Sequence, residues 1–200
     1  MLGRRSTTSR GDTIVEVLFA ITIFSMIAVA AISLMNKGMA TAQRSLEITA
    51  VRQQIDGQAD TLRFLHDAYV NSYQAGAVND DPATPAGKYH AILTDHTGTT
   101  VSAFEGGTCT IPTARSNVFV VSPKNGTVNQ TITEAPAAAG LAYTGATATG
   151  EGIWVEALRS PAPTGTQVGF IDFHIRACWS GVGDSIPTTL GTIVRLYDPK

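Results

Sequence analysis

The sequence contains no Gly-x-Ser-x-Gly, no His-Glu-x-x-His, no phosphate-cradling glycine loop and no Cys-x-x-Cys. Those absences remove the short motifs that carry ester hydrolysis, zinc-dependent proteolysis, nucleotide binding and thiol redox chemistry. The four histidines, His66, His90, His96 and His174, show no ligand spacing of three or four residues, so neither a metal nor a cofactor is expected. Charge is scarce as well, at 15% of residues with a net charge of −2. A mildly acidic chain offers no electrostatic pull towards DNA or anionic lipid, and direct nucleic-acid binding is not expected. Trp154 and Trp179 read as core aromatics rather than a sugar or base platform. We expect no enzyme.

One long apolar run is present. Ile14 to Met35 is interrupted only by Glu16, Thr22, Ser25 and Ser33, and a helix of about 22 residues spans roughly 30 Å, the thickness of a bilayer's hydrocarbon core. No second run approaches that length, so the rest of the chain reads as one water-facing domain. The 200 residues, 44% hydrophobic, suffice for one modest core. Residues 1–11 carry Arg4, Arg5 and Arg10 and no acid, which keeps that end in the cytoplasm and sends everything after Met35 outward. Loss of those three arginines would take the net charge from −2 to −5.

Three readings fit the N-terminus. A secretory signal peptide with Ala28-Val29-Ala30 as its cleavage site puts Glu16 inside the apolar stretch at a cost of about 3 kcal/mol, and cuts a helical pattern that continues further. The twin-arginine variant fails because Arg4-Arg5 is followed by Ser-Thr-Thr-Ser. A plain single-pass anchor explains the length, with Glu16 snorkelling at the cytoplasmic end, and leaves the arrangement around Glu16 as coincidence. The third reading takes the whole pattern: a short basic leader ending at Gly11, a glutamate at Glu16, then Val17 to Met35. This resembles the N-terminus of type IV prepilins. Arg10-Gly11-Asp12 also spells an integrin-binding tripeptide, which that cleavage would split.

The resemblance implies a set of roles. A prepilin peptidase on the cytoplasmic face cuts after Gly11 and methylates the new amino terminus at Asp12; Glu16 becomes the fifth mature residue. The apolar helix first anchors the subunit in the membrane and then forms the filament core with other pilin subunits, handled by an inner-membrane assembly machinery. A physical reason for the carboxylate can be given without the family. Identical apolar rods have little to fix their axial register, and a buried charge that must be paired penalises wrong registers. Glu16 would pair with the amino terminus of a neighbouring subunit. Asp12 departs from the Phe or Met usual at that first position, which points to a minor pilin rather than the bulk building block. A secretion pseudopilin carries the same N-terminus.

Beyond the anchor, Asn36-Lys37-Gly38 is a weak point, since Gly costs about 1 kcal/mol in a helix interior, and the helix is expected to loosen there. From Gln43 the apolar residues Ile48, Val51, Ile55, Ala59, Leu62, Leu65 and Tyr69 step by three or four. That is one face of an amphipathic helix, with Arg44, Glu47, Arg52, Asp56, Asp60, Arg63 and Asp67 opposite. The spacing predicts a helix from about Thr13 to Asn71 whose second half packs on the sheet of its own domain.

The remainder reads as loops and strands. Residues 74–87 are loop by composition, and the Asp80-Asp81 pair lacks the alternating ligands of a calcium loop. Strands are expected at Tyr89 to Leu93, Thr100 to Phe104, Asn117 to Ser122 and Val128 to Thr133, the last two joined by an Asn125-Gly126 turn. Residues 135–150 read as an exposed loop. Asn125 and Asn129 stand in formal glycosylation triplets and read better as turn and strand. Gly152 to Arg159, Val168 to Trp179 and Gly191 to Tyr197 read as an antiparallel meander. The two cysteines, Cys109 and Cys178, both fall outside the membrane and permit one pairing, which an oxidising compartment favours.

The expected organisation is therefore a leader over 1–11, a transmembrane and filament-core helix over 12–35, its amphipathic continuation over 36–71, and a β-rich outer domain over 72–200. The fold class is α+β, with a long N-terminal helix on a mainly antiparallel sheet. The expected location is the cytoplasmic membrane and then a surface filament. The competing reading is an anchored or secreted binding domain that never polymerises.

Overall fold

A computed structural model describes residues 12–74, 80–102, 109–112, 115–133, 143–144, 149–160, 169–181 and 185–199. Helix α1 runs Asp12–Gln74 as one element of 63 residues. The chain divides into two compact units, Met1–Gln43 and Arg44–Lys200. The first consists, as far as it is described, of helix alone. Its backbone continues helical through Asn36-Lys37-Gly38, so the expected loosening does not occur. A glycine's cost of about 1 kcal/mol is small beside the hydrogen bonds its neighbours keep, and a Cβ at Gly38 would meet nothing within 4 Å.

In the second unit the helical periodicity does what its spacing predicts. Val51, Ile55, Ala59, Leu62, Leu65 and Tyr69 are buried, with Ile48 packed at the margin of the same core, while Arg44, Arg52, Asp56, Asp60, Arg63 and Asp67 are exposed. The stripe lies on a five-stranded antiparallel sheet of order β2-β1-β6-β7-β8. Its members are β1 (Val118–Val121), β2 (Val128–Asn129), β6 (Ile153–Arg159), β7 (Phe170–Trp179) and β8 (Thr188–Tyr197). The β6-β7-β8 meander is present as read, and the β7/β8 ladder pairs ten consecutive residues, Phe170↔Tyr197 through Trp179↔Thr188. The Asn125-Gly126 turn joins β1 to β2, with Gly126 at φ 67° as this tight turn requires.

Helix and sheet are locked by one buried amide. Gln58, fully buried on α1, donates from Nε2 to the Val121 carbonyl and accepts the Val121 N–H at 3.0 Å on Oε1. The side chain thereby supplies β1 with both bonds that a neighbouring strand would have made, and ties one turn of the helix to one residue of the sheet.

Three expectations are corrected. Tyr89 to Leu93 is not a strand but part of helix α2, Pro85–Asp95. Thr84 caps it by accepting the Gly87 N–H at 3.1 Å, Pro85 sits in the first turn, and Tyr89, Ile92 and Leu93 are buried on one helical face. Gly87 permits a close approach, since a Cβ there would lie 1.9 Å from the Asp81 carbonyl oxygen. Thr100 to Ser102 forms no strand, and Ala103 and Phe104 lie outside the described residues. Within 135–150, read as loop, β4 (Tyr143–Thr144) pairs with β5 (Thr149–Glu151), which also pairs with β3 (Ile132–Thr133) in a second, three-stranded sheet; residues 135–142 and 145–148 are outside the described set.

The sheet is covered on both sides. Opposite the helix, Val118, Trp154 and Cys178 form a smaller core with Ile132, against which Cys109 and Ile111 pack. Arg176, on the polar side of the alternation in β7, is buried near this second layer, where it donates to the Ser102 carbonyl, while Asp172 on the same side is held by Arg195 of β8.

Candidate functional site

The feature most unlike an ordinary domain is the first unit's surface. An 18-residue window of α1 has a mean hydropathy of 2.6 and none of it is buried. Phe19, Phe24, Met26, Val29 and Leu34 are each more than two-thirds exposed or close to it, at 67%, 72%, 78%, 68% and 71%. A helix that is apolar all round is stable only where it is surrounded by apolar matter, lipid or other helices. The polar interruptions do not oppose this. Thr22 Oγ1 donates to the Phe19 carbonyl and Ser25 Oγ to the Ile21 carbonyl, both at 2.8 Å, so these hydroxyls are satisfied within the helix.

Glu16 is different in kind. It is exposed, it stands one turn into α1, and no charged residue follows until Lys37. Those 21 residues cover about 31 Å at 1.5 Å each, so the two charges stand one hydrocarbon thickness apart. Asp12, four residues before Glu16, opens the helix. Gly11 lies outside the described residues. The structure thus offers one long apolar helix near the N-terminus, enough by length and composition for a single membrane span.

The two cysteines are brought together. Cys109 and Cys178 are disulfide-bonded with Cα atoms 5.6 Å apart, across 69 positions of sequence. The bond ties the 109–112 segment to the end of β7 on the sheet's second face.

Beside it lies a buried polar cluster that sequence reasoning missed. Glu156, fully buried on β6, accepts from Arg176 at 2.9 Å, from the Trp154 indole at 3.0 Å and from the Ser102 backbone N–H at 2.6 Å, and Arg176 donates to the Ser102 carbonyl at 2.8 Å. The cluster fastens residue 102 to the sheet. Further along, Arg195 forks onto Asp172 with two bonds of 2.7 Å and stacks 4.0 Å over the Phe170 ring. The fork holds the Asp172 carboxyl below the usual range against the opposing effect of burial, and raises Arg195 in turn. Burial, with Arg176 nearby, lowers His174. Burial likewise raises the Tyr89 phenol.

None of these groups converges into a reaction centre. His66 on α1 bonds to the Tyr197 carbonyl at 2.8 Å and His96, the C-cap of α2, to the Ser116 carbonyl at 3.1 Å, while His90 lies within α2 and His174 on β7. Among the described residues no three His, Cys, Asp or Glu side chains are placed to hold a metal ion. Asp81 instead closes a turn, accepting the Ala83 N–H at 2.9 Å, and Asn125 and Asn129 do the same for Thr127 and Thr131. Trp154 and Trp179 are buried in the two cores. Comparison with protein-family models, with curated proteins and with solved structures found no match.

Proposed function

We propose that the chain is a type IV pilin-like structural subunit: made as a precursor, cut after Gly11 by a prepilin peptidase, anchored by the helix that begins at Asp12, and polymerised through that helix into a surface filament. The observation that carries this is the two-part nature of α1. Its second half lays an apolar stripe into the core of its own domain, while from Ile14 to Met35 its first half is apolar with a single carboxylate, Glu16, at the end nearest the leader. An anchor alone needs the apolar surface but has no use for the carboxylate. A filament needs both, the surface for packing and the charge for register.

In this reading the subunit performs no chemistry, and its partners are other pilin subunits, the peptidase and the assembly machinery of the membrane. Asp12 at the first mature position favours a minor pilin. The deciding measurement is the N-terminal sequence and intact mass of protein recovered from its native membrane or from the sheared surface fraction. The expected start is Asp12, with or without a methyl group. A start near Ala31, or an uncut Met1, would overturn the reading and leave an anchored or secreted domain that does not polymerise.

A further inference from the structure

Over residues 12–43 the sequence places three ionisable side chains on α1, those of Asp12, Glu16 and Lys37. Glu16 and Lys37 are exposed. Neither has an opposite charge one helical turn away, where side chains on one helix meet: the residues three and four places from Lys37 are Ser33, Leu34, Ala40 and Thr41, and those around Glu16 include no cation. Cleavage after Gly11, as proposed above, adds a positive amino group to a residue that is itself an aspartate. The amino end then balances its own charge, and within this stretch Glu16 is balanced only by Lys37. Because α1 runs unbroken through Gly38, the two charges stand 21 residues apart, about 31 Å along one straight run of helix. One chain cannot bring them together.

We propose that Glu16 is met by Lys37 of a second copy of this chain, displaced by one span along the helix axis, in addition to the amino terminus of a nearer neighbour. The inference rests on the filament reading and names a further partner for its carboxylate, which has acceptor room for both donors. The displacement is the one that leaving the membrane produces. A chain resting in the bilayer holds Glu16 at the cytoplasmic headgroups and Lys37 at the outer ones, one hydrocarbon thickness away. A chain raised by that thickness brings its Glu16 to the outer level, where a copy still in the bilayer presents Lys37. Phosphate groups at that level repel a carboxylate, whereas the ammonium matches it as water is lost from both. The same offset sets Val17 to Thr22 of the raised chain beside Gly38 to Gln43 of the resident one. Gly38, Ala40 and Ala42 are small, and a Cβ at Gly38 would meet nothing within 4 Å, so the two backbones have room to approach.

The test reads the membrane and the sheared surface fraction of one culture. Lys37→Ala lies outside the domain's core and is expected to lower recovery in sheared filaments at least about tenfold, while Lys37→Arg keeps recovery near normal. Both variants should stay within about twofold of the native amount in the membrane. A second variant keeps both charges: Ala20→Cys with Thr41→Cys puts one thiol on each side of the contact, one turn beyond Glu16 and Lys37 on the same faces. The native cysteines are bonded to each other, so oxidation of sheared filaments with diamide is expected to link these new thiols into a ladder of covalent oligomers. Ala20→Cys with Leu34→Cys, whose offset is a third shorter, is expected to give none. Filaments whose native chain starts at Asp12 but which show no such ladder, or equal recovery of Lys37→Ala, overturn the pairing and leave the filament reading standing. Loss of Lys37→Ala from the membrane as well as from filaments overturns it too, by assigning Lys37 to anchoring in lipid. A native chain that is uncut, or missing from the sheared fraction, removes the filament reading and the pairing with it.

Discussion

At the scale of single residues, the most consequential charge in the folded domain is Glu156, which has no contact with water and three donors around it. Glu156→Ala removes the carboxylate that Arg176 donates to in the interior, and breaking a buried pair on one side costs about 3–5 kcal/mol. Replacing both partners, as Glu156→Leu with Arg176→Met, removes both charges and is expected to recover most of that loss. Urea denaturation of Glu156→Leu, Arg176→Met and the double measures the coupling; a double variant no better than Glu156→Leu alone would show that the pair's role is to hold Ser102. Asp172 makes a prediction with a sign. Its folded carboxyl titrates below its unfolded value of about 4 because Arg195 donates to it. The stabilisation is therefore fully present above about pH 4 and is lost as pH falls through the lower folded value. The melting temperature of the native domain should exceed that of Asp172→Asn by a constant margin from pH 7 down to pH 5, with the margin closing below pH 4. A margin that persists at pH 2 would exclude the carboxylate as its source.

Elements divide by how local their causes are. Helix α1 was legible because its stripe from Val51 to Tyr69 repeats one spacing for five turns, and the meander was legible because its strands alternate between turns rich in Gly and Pro. Helix α2 was not, since Tyr-His-Ala-Ile-Leu reads as a β-rich run when taken alone. The signal lay just upstream, in Thr84 as a cap before Pro85 and in the helical spacing of Ala86, Tyr89, Ile92 and Leu93. The Glu156–Arg176 pair was out of reach for a different reason: it depends on the register of β6 against β7 and on a covering layer that alternation within one strand cannot reveal. The disulfide belongs to this scale. It closes a loop of about 70 residues between a non-repetitive segment and a central strand. Replacing Cys109 and Cys178 by Ser should cost about 2–4 kcal/mol in chemical denaturation. The five-stranded sheet should persist, because its core on α1 contains neither cysteine; loss of the native circular-dichroism spectrum at low denaturant would contradict this.

For the whole molecule the question is why one helix carries two unlike surfaces. Its stripe from Val51 to Tyr69 is enclosed by the domain's own sheet, while from Ile14 to Met35 the apolar side chains are exposed. Lipid satisfies that second surface, and so does a bundle of like helices; hydrophobicity alone does not choose between them. A substitution at Glu16 tests the choice. In lipid near the cytoplasmic face a carboxylate reaches the headgroups at little cost, so Glu16→Ala leaves a solitary anchor in place or strengthens it. In the filament proposed above, the same carboxylate would have to be matched by a cation, and only one axial register would bring a neighbour's amino terminus to it, so its removal would take away what distinguishes correct stacking from slippage. The two membrane roles therefore respond differently to one substitution. Glu16→Ala is expected to leave the amount of full-length, membrane-inserted protein within about twofold of normal, because the apolar span is unchanged. It is expected to lower recovery in sheared filaments at least about tenfold. Quantitative blotting of the membrane and sheared fractions from one culture reads both quantities, and equal recovery of variant and native chain in filaments would remove Glu16 from assembly.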